Sequence, residues 1–102
     1  MLFTSLLLSL AVPVAPDAAP PPSNHIQQLL QETDGSTKER AFKVTNVAEE
    51  YQIVRALGLR RGSQALISDH GRMYDRLTVT DPKTHKSRDL WFDINSFFGK
   101  EF

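Results

Sequence analysis

The chain contains no cysteine and carries no excess charge of either sign. The absence of cysteine excludes disulfides, a thiol nucleophile, and zinc or iron–sulfur sites that use thiolate ligands. Twelve Lys and Arg residues balance twelve Asp and Glu residues, so the formal net charge at pH 7 is zero. This balance argues against a general nucleic-acid or anionic-membrane binder, which usually carries a basic excess. With 102 residues, the chain has room for one small domain.

The sequence also lacks an apolar run long enough to cross a bilayer, which needs roughly 20 residues. The stretch from Leu2 to Val12 has instead the length of the hydrophobic region of a secretory signal peptide. Ala11 and Ala15 suit cleavage after either residue. We therefore expect residues 1–15 to be a signal peptide and the protein to be exported, to the periplasm or out of the cell. The alternative is an N-terminal strand or helix that is buried in the fold.

Proline is concentrated between Pro13 and Pro22, where five of the six prolines lie. Such a run favours extended polyproline II and cannot pack a core. We therefore expect residues 16–22 to form a Pro-rich linker and residues 23–102 to form a single small domain. A passive linker is the favoured interpretation, and a ligand for a proline-recognition domain is the alternative.

Two helices are predicted in this domain. The first begins at Ser23 or Asn24, buries Ile26, Leu29 and Leu30, and stops at Asp34-Gly35. The second follows an N-cap acceptor at Asn46, with the carboxylate of Glu49 three residues later. Its predicted buried face holds Val47, Tyr51, Val54 and Leu57, and Gly58 ends it.

Alternating and apolar segments predict four strands: Ala41–Thr45, Gln64–Ser68, Met73–Thr80 and Arg88–Ile94. Asp69-His70-Gly71 forms the turn between the second and third of these. The loop from Asp81 to Lys86 joins the last two, with His85 in the left-handed region. The predicted fold is α+β: a small antiparallel sheet of three to four strands, with one main helix and a short N-terminal helix packed on it.

Pairing Leu77 with Leu90 sorts the side chains of the last hairpin onto two faces. One face holds Met73, Asp75, Leu77 and Val79 opposite Arg88, Leu90, Phe92 and Ile94. The other holds Tyr74, Arg76, Thr78 and Thr80 opposite Ser87, Asp89, Trp91 and Asp93. A shift by one residue would mix the two sets, so this register is favoured. The first face is predicted to be core and the second to be amphipathic.

The amphipathic face supplies the candidate binding residues, which are Tyr74, Arg76, Trp91 and Asp93. Arg76 lies opposite Trp91 and Tyr74 lies opposite Asp93, so a cation can stack on the only tryptophan. We expect Trp91 to be partly exposed because its cross-strand neighbours are polar. The alternative is that the N-terminal helix covers it.

Other candidate residues have weaker patterns. Alternation places Asp75 on the core face, which indicates either an edge, bulge or ion-pair position or an acid at the mouth of a pocket. The three histidines show no metal-ligand spacing. The basic cluster of Arg55, Arg60 and Arg61 is interpreted as a solvated helix end, and the minor alternative is that it binds an anionic polymer. The aromatic residues between Phe97 and Phe102 either dock on the core or join a partner surface.

Several motifs together resemble small exported bacterial proteins known as a domain of unknown function. These are Asp34-Gly35-Ser36 leading to Ala41-Phe42, Glu49-Glu50-Tyr51 leading to Leu57-Gly58-Leu59, Tyr74-Asp75, Asp81-Pro82 and Trp91-Phe92-Asp93-Ile94. The resemblance covers residues 34–102. It implies export and a single domain, and it implies no activity, cofactor or site.

The sequence therefore favours a non-enzymatic exported binding or accessory module of the bacterial cell envelope. A second hypothesis is a small-molecule pocket protein or minor enzyme that uses Asp75, and a third is an inhibitor or immunity-type protein. We expect an envelope protein as partner, and no nucleic acid, cofactor, metal or stable membrane insertion after signal cleavage. The sequence leaves the oligomeric state open.

Overall fold

The computed structural model describes residues 22–100, so the predicted signal peptide and most of the predicted linker lie outside the described residues. Phe102 lies outside them as well. The elements are α1 (Asn24–Glu32), β1 (Phe42–Lys43), α2 (Val47–Ala56), β2 (Arg60–Asp69), β3 (Arg72–Thr80) and β4 (Ser87–Asp93), with a 3-10 turn at Lys38–Arg40 before β1. None of the described helices is both long enough and apolar enough to span a bilayer.

The sheet has four strands in the order β1-β4-β3-β2. The pairs β2–β3 and β3–β4 are antiparallel, whereas the two-residue β1 runs parallel to β4, with Phe42 beside Phe92. The predicted α+β class is confirmed, and the sheet is mixed rather than wholly antiparallel. A parallel pair needs a long crossover connection, and α2, β2 and β3 supply it between β1 and β4.

Helix α1 begins where the sequence predicted. The Ser23 Oγ accepts a hydrogen bond from the backbone N–H of Ile26 at 3.2 Å, which satisfies one of the free donors of the first turn. Ile26 and Leu29 are buried. Gly35 follows at φ 67°, where a Cβ would collide with the ring of Phe42. This position therefore needs glycine for both its backbone conformation and its space.

Helix α2 has the predicted caps but buries a different face. The Asn46 Oδ1 accepts from the N–H of Glu49 at 3.0 Å, and the Glu49 carboxylate accepts from the N–H of Thr45 at 2.7 Å. At the other end, Gly58 has φ 71°.

The predicted buried face of α2 is wrong by about one position. Glu50, Ile53 and Val54 are buried, whereas Val47 is 45% and Tyr51 is 40% exposed. In this short helix two apolar stripes overlap at Val54. The stripe that contains Ile53 faces the sheet, and the Ile53 side chain is completely buried there.

The β3–β4 hairpin has the predicted register. Leu77 pairs with Leu90 and Arg76 pairs with Trp91, so the core face and the amphipathic face separate as expected. In the connecting loop, the Asp81 carboxylate accepts from the N–H of Lys83 at 2.8 Å, and His85 has φ 63°. The predicted left-handed conformation of His85 is confirmed.

Strand β2 begins at Arg60, four residues earlier than predicted. Its pairing with β3 is interrupted by a bulge between Arg61 and Gln64 and is regular from Gln64 to Asp69. The predicted turn at Asp69-His70-Gly71 is confirmed, with His70 at φ 51°. Arg55, Arg60 and Arg61 are all exposed.

The core lies between the two helices and one face of the sheet. Its members are Ile26, Leu29, Phe42, Val44, Ile53, Val54, Leu77, Val79, Leu90, Phe92 and Ile94. Phe97 packs against this cluster while Phe98 stays 43% exposed. The aromatic C-terminal run is therefore divided, with one ring docked and one ring in solvent.

Candidate binding surface

The face of the sheet opposite the helices carries the four predicted binding residues. Leu77, Leu90 and Phe92 point into the core beneath the helices. Alternation along β3 and β4 therefore places Tyr74, Arg76, Trp91 and Asp93 together on the other face.

Trp91 lies at the centre of this surface. Its ring contacts Tyr74 edge-on, with the ring centroids 6.1 Å apart, and the Arg76 guanidinium carbon lies 5.7 Å from the Trp91 ring centroid. Trp91 is half-buried, as expected, and its backbone N–H donates to the carbonyl of Gly35 at 2.8 Å. Tyr74 and Arg76 thus restrict the indole on two sides, while part of the ring reaches solvent. A rigid aromatic ring of this kind contacts a partner at low entropic cost.

Arg76 is held at this position by an acidic neighbour on β4. Its Nε lies 3.9 Å from an Asp89 oxygen, and the other Asp89 oxygen accepts from the Thr78 hydroxyl at 3.1 Å. The Arg76 side chain is 40% exposed. The guanidinium therefore lies beside the indole with part of its surface free for a ligand or partner.

Tyr74 is less accessible than its position on this face suggested. Its exposed fraction is only 8%, because the ring lies against Trp91 and beside its cross-strand neighbours Ile67 and Asp93. The buried Tyr74 ring therefore packs against the Trp91 indole and restricts its movement. The accessible part of the surface is formed by Trp91 and Arg76.

Asp93 is also buried, in a polar network that joins the ends of β3 and β4. Its carboxylate accepts from the Arg72 guanidinium at 2.9 Å and from the Asn95 side-chain amide at 2.7 Å. Burial acts to raise the pKa of Asp93, but the hydrogen bonds from Asn95 and the charge of Arg72 outweigh it, so the pKa is lowered. Asp93 is therefore an ionised anchor of the surface rather than a free contact.

Asn95 is a residue of this network that sequence reasoning missed. Its side chain also accepts from the Met73 N–H at 2.9 Å and donates to the Met73 carbonyl at 3.0 Å. The available signal was an Asp-x-Asn sequence directly after a strand, which favours local side-chain hydrogen bonds. A depression of about 230 Å³ lies beside this network, with Lys43, Arg72 and Asn95 among its lining residues.

A second polar feature lies on the opposite, core face. Asp75 is 7% exposed and Glu50 on α2 is 1% exposed, and the two carboxyl groups are in contact. Burial raises the pKa of Glu50 to about 9, and contact with Asp75 adds to this, while the nearby charge of Arg61 acts in the opposite direction. The Glu50 Oε2 is buried and has no hydrogen-bond partner among the described residues. A proton on Glu50 lets its carboxyl donate to Asp75.

This arrangement differs from the first predicted role of Asp75, an edge, bulge or ion-pair position. The residue pairs regularly with Leu66 and with Phe92, so it does not lie at the bulge of β2 or at the edge of the sheet. Its partner is a second acid rather than an arginine. The sequence analysis missed Glu50 because its position in the first turn of α2 suits the helix dipole. The signal was helical spacing, since Glu50 lies three and four residues before Ile53 and Val54.

The three histidines lie apart from one another in the fold. His25 Nε2 lies 3.6 Å from a Glu49 oxygen, and His70 and His85 occupy separate turns. Across residues 22–100, no group of three or more His, Asp and Glu side chains could hold a metal ion. A second depression, of about 340 Å³, lies between α1 and the 3-10 turn, and Asp75 lines neither depression.

These features define a small α+β domain with an aromatic surface of mixed charge on the sheet face opposite the helices. Residues 22–101 match the family described as "Domain of unknown function (DUF4919)", and the chain belongs to this family. The match begins before Asp34, where the resemblance seen in the sequence began. Searches of curated proteins and of solved structures found no match.

Proposed function

We propose that this protein is a non-enzymatic exported binding or accessory module of the bacterial cell envelope, acting in the periplasm or after secretion. The observation that carries the proposal is the Trp91 indole, which is partly exposed on the sheet face opposite the helices with Arg76 beside it. Tryptophan and arginine are the residues that most often dominate binding energy at protein interfaces. The proposed partner is therefore another envelope protein.

The surface is preorganised for such contact. Tyr74 and the Asp93 network hold the two strand ends in place, so little side-chain freedom remains for binding to remove. Its charges are mixed, because Arg72 and Arg76 each lie beside an aspartate. A partner with alternating polar and apolar groups fits this surface better than a polyanion does.

The test compares Trp91→Ala with Thr80→Ala, a control on the same face whose hydroxyl contacts Ser87 and not the binding residues. Envelope proteins are captured from the native host on the wild-type chain and on each variant. Trp91→Ala should weaken binding of a specific captured partner by about 2 kcal/mol or more, while Thr80→Ala should change it little. Both variants should still unfold cooperatively, and binding is compared at a temperature where each chain is fully folded. Equal binding by all three chains would remove this face as the contact surface.

A second candidate function is a small-molecule site or minor enzyme that uses Asp75. The observation in its favour is the buried contact between Asp75 and Glu50, which retains a proton near neutral pH. A thermal-shift screen of small metabolites against the wild type and Asp75→Asn tests it. A ligand that stabilises only the wild type would support this function, and the absence of any Asp75-dependent shift would count against it.

A further inference from the structure

Strand β2 forms a long, open edge of the sheet. It spans ten residues, and within residues 22–100 it pairs with β3 alone. Its outer side therefore presents a row of backbone N–H and C=O groups that a further strand can bind. The opposite edge is the two-residue β1, which is too short to do the same.

The central part of this edge has few of the features that usually prevent strand pairing. Edges are commonly protected by charged side chains, proline or bulges. In β2 the bulge lies between Arg61 and Gln64, and the segment from Gln64 to Ser68 is regular, uncharged and free of proline. Leu66, at the middle of this segment, is 54% exposed, the most of the large apolar side chains that are exposed in the described residues.

We propose that β2 pairs antiparallel with β2 of a second copy of this chain, about a two-fold axis at Leu66. In this register each Leu66 lies opposite its own copy, and Ala65 lies opposite Ile67 of the second copy. Gln64 then lies opposite Ser68. Apolar residues thus meet apolar residues on both faces of the joined sheets, which form one continuous sheet of eight strands.

The charges of β2 fit this antiparallel arrangement. The strand begins with Arg60 and Arg61 and ends with Asp69. Antiparallel pairing brings the basic end of each strand towards the acidic end of the other. A parallel arrangement would bring like charges together, which destabilises strand pairs. The charges of β2 therefore favour the antiparallel direction, and its apolar residues match those of a second copy of the same strand.

The contact between two copies is small. In this register the segment from Gln64 to Ser68 contributes five residues from each copy, fewer than the 20–30 residues a side of a standard stable interface. We therefore expect a reversible dimer that forms at high concentration rather than an obligate one. This contact uses the sheet edge and leaves Trp91 accessible, so it does not depend on the proposed function of the open face.

Sedimentation equilibrium of the full chain at concentrations from about 10 μM to about 1 mM tests the proposal, because small interfaces dissociate in this range. The wild-type mass should rise towards twice that of the 11.5 kDa monomer. Leu66→Lys should raise the dissociation constant by about tenfold or more, because it places two like charges at the two-fold axis. Phe98→Lys is the matched control, since Phe98 is an exposed apolar residue outside β2, and it should behave as the wild type.

A cross-linking experiment gives an independent measurement. Because the chain has no cysteine, Leu66→Cys introduces a single thiol. At the two-fold axis the two Cβ atoms lie about 4.5–5.5 Å apart, close to the spacing of a disulfide. Mild oxidation should therefore yield a disulfide-linked dimer from Leu66→Cys faster than from Phe98→Cys. A wild-type chain that stays monomeric at all concentrations, or a dimer that survives Leu66→Lys, would overturn the proposal.

Discussion

Replacing Glu50 by Gln should remove a pH dependence from the stability of this domain. In the folded protein the pKa of Glu50 is raised from 4.5 to about 9 by burial and by the carboxyl group of Asp75. The unfolded chain releases this proton near pH 4.5, whereas the folded chain keeps it. Glutamine has the same shape, and its amide can donate to Asp75 as the protonated carboxyl does. The variant therefore keeps the contact and loses the titration.

The direction in which stability changes with pH follows from the number of protons bound by the folded and the unfolded chain. A group whose pKa is raised on folding contributes its full stability below the unfolded pKa and loses it as the pH rises towards the folded value. Between about pH 5 and pH 9 the folded state holds one more proton than the unfolded state. The free energy of unfolding should therefore fall by about 1.4 kcal/mol per pH unit from this group. By pH 7 the accumulated loss is up to about 3 kcal/mol.

Urea unfolding of the wild type and Glu50→Gln at several pH values from 4 to 8 measures this effect. The two chains should have nearly equal stability at pH 4, and Glu50→Gln should be the more stable by up to about 3 kcal/mol at pH 7. With a slope of about 1 kcal/mol per molar urea, the midpoints should then differ by up to about 3 M. Glu32→Gln is the control, because Glu32 is an exposed helical glutamate. Parallel pH profiles for the wild type and Glu50→Gln would refute the reasoning.

Three further predictions concern the core, the indole and export. Phe92→Ala should lower the free energy of unfolding by about 3–5 kcal/mol, since Phe92 is fully buried, while Thr78→Ala should change it little in the same thermal melts. Equal, small effects would contradict the assignment of the two faces. The fluorescence of Trp91 should be readily quenched by acrylamide, and a blue-shifted, quench-resistant emission would withdraw it as a contact residue. Mass spectrometry of the protein from its native host should show cleavage after Ala11 or Ala15, and a chain that still begins at Met1 would contradict export.

Much of the hairpin and of the helix ends could be predicted from the sequence because the signals are local. Leu77 and Leu90 pair as predicted, since a shift of one residue would mix the core face with the amphipathic face. Ser23 and Asn46 cap the helices because their side-chain oxygens reach free N–H groups within three residues. The open face was predictable for the same reason, because alternation places Arg76 beside Trp91 without knowledge of the rest of the fold.

Only the tertiary structure decided which of these local features are accessible and which strands become neighbours. The parallel pairing of β1 with β4 and the early start of β2 at Arg60 depend on contacts distant in sequence. The burial of Tyr74 depends in the same way on neighbours that no single strand contains. The choice between two overlapping apolar stripes on α2 depends on which one reaches the sheet, and that choice placed Glu50 against Asp75. Sequence patterns with periods of 2.0 and 3.6 residues assign faces to strands and helices. They do not determine what covers each face, because that depends on how the elements pack.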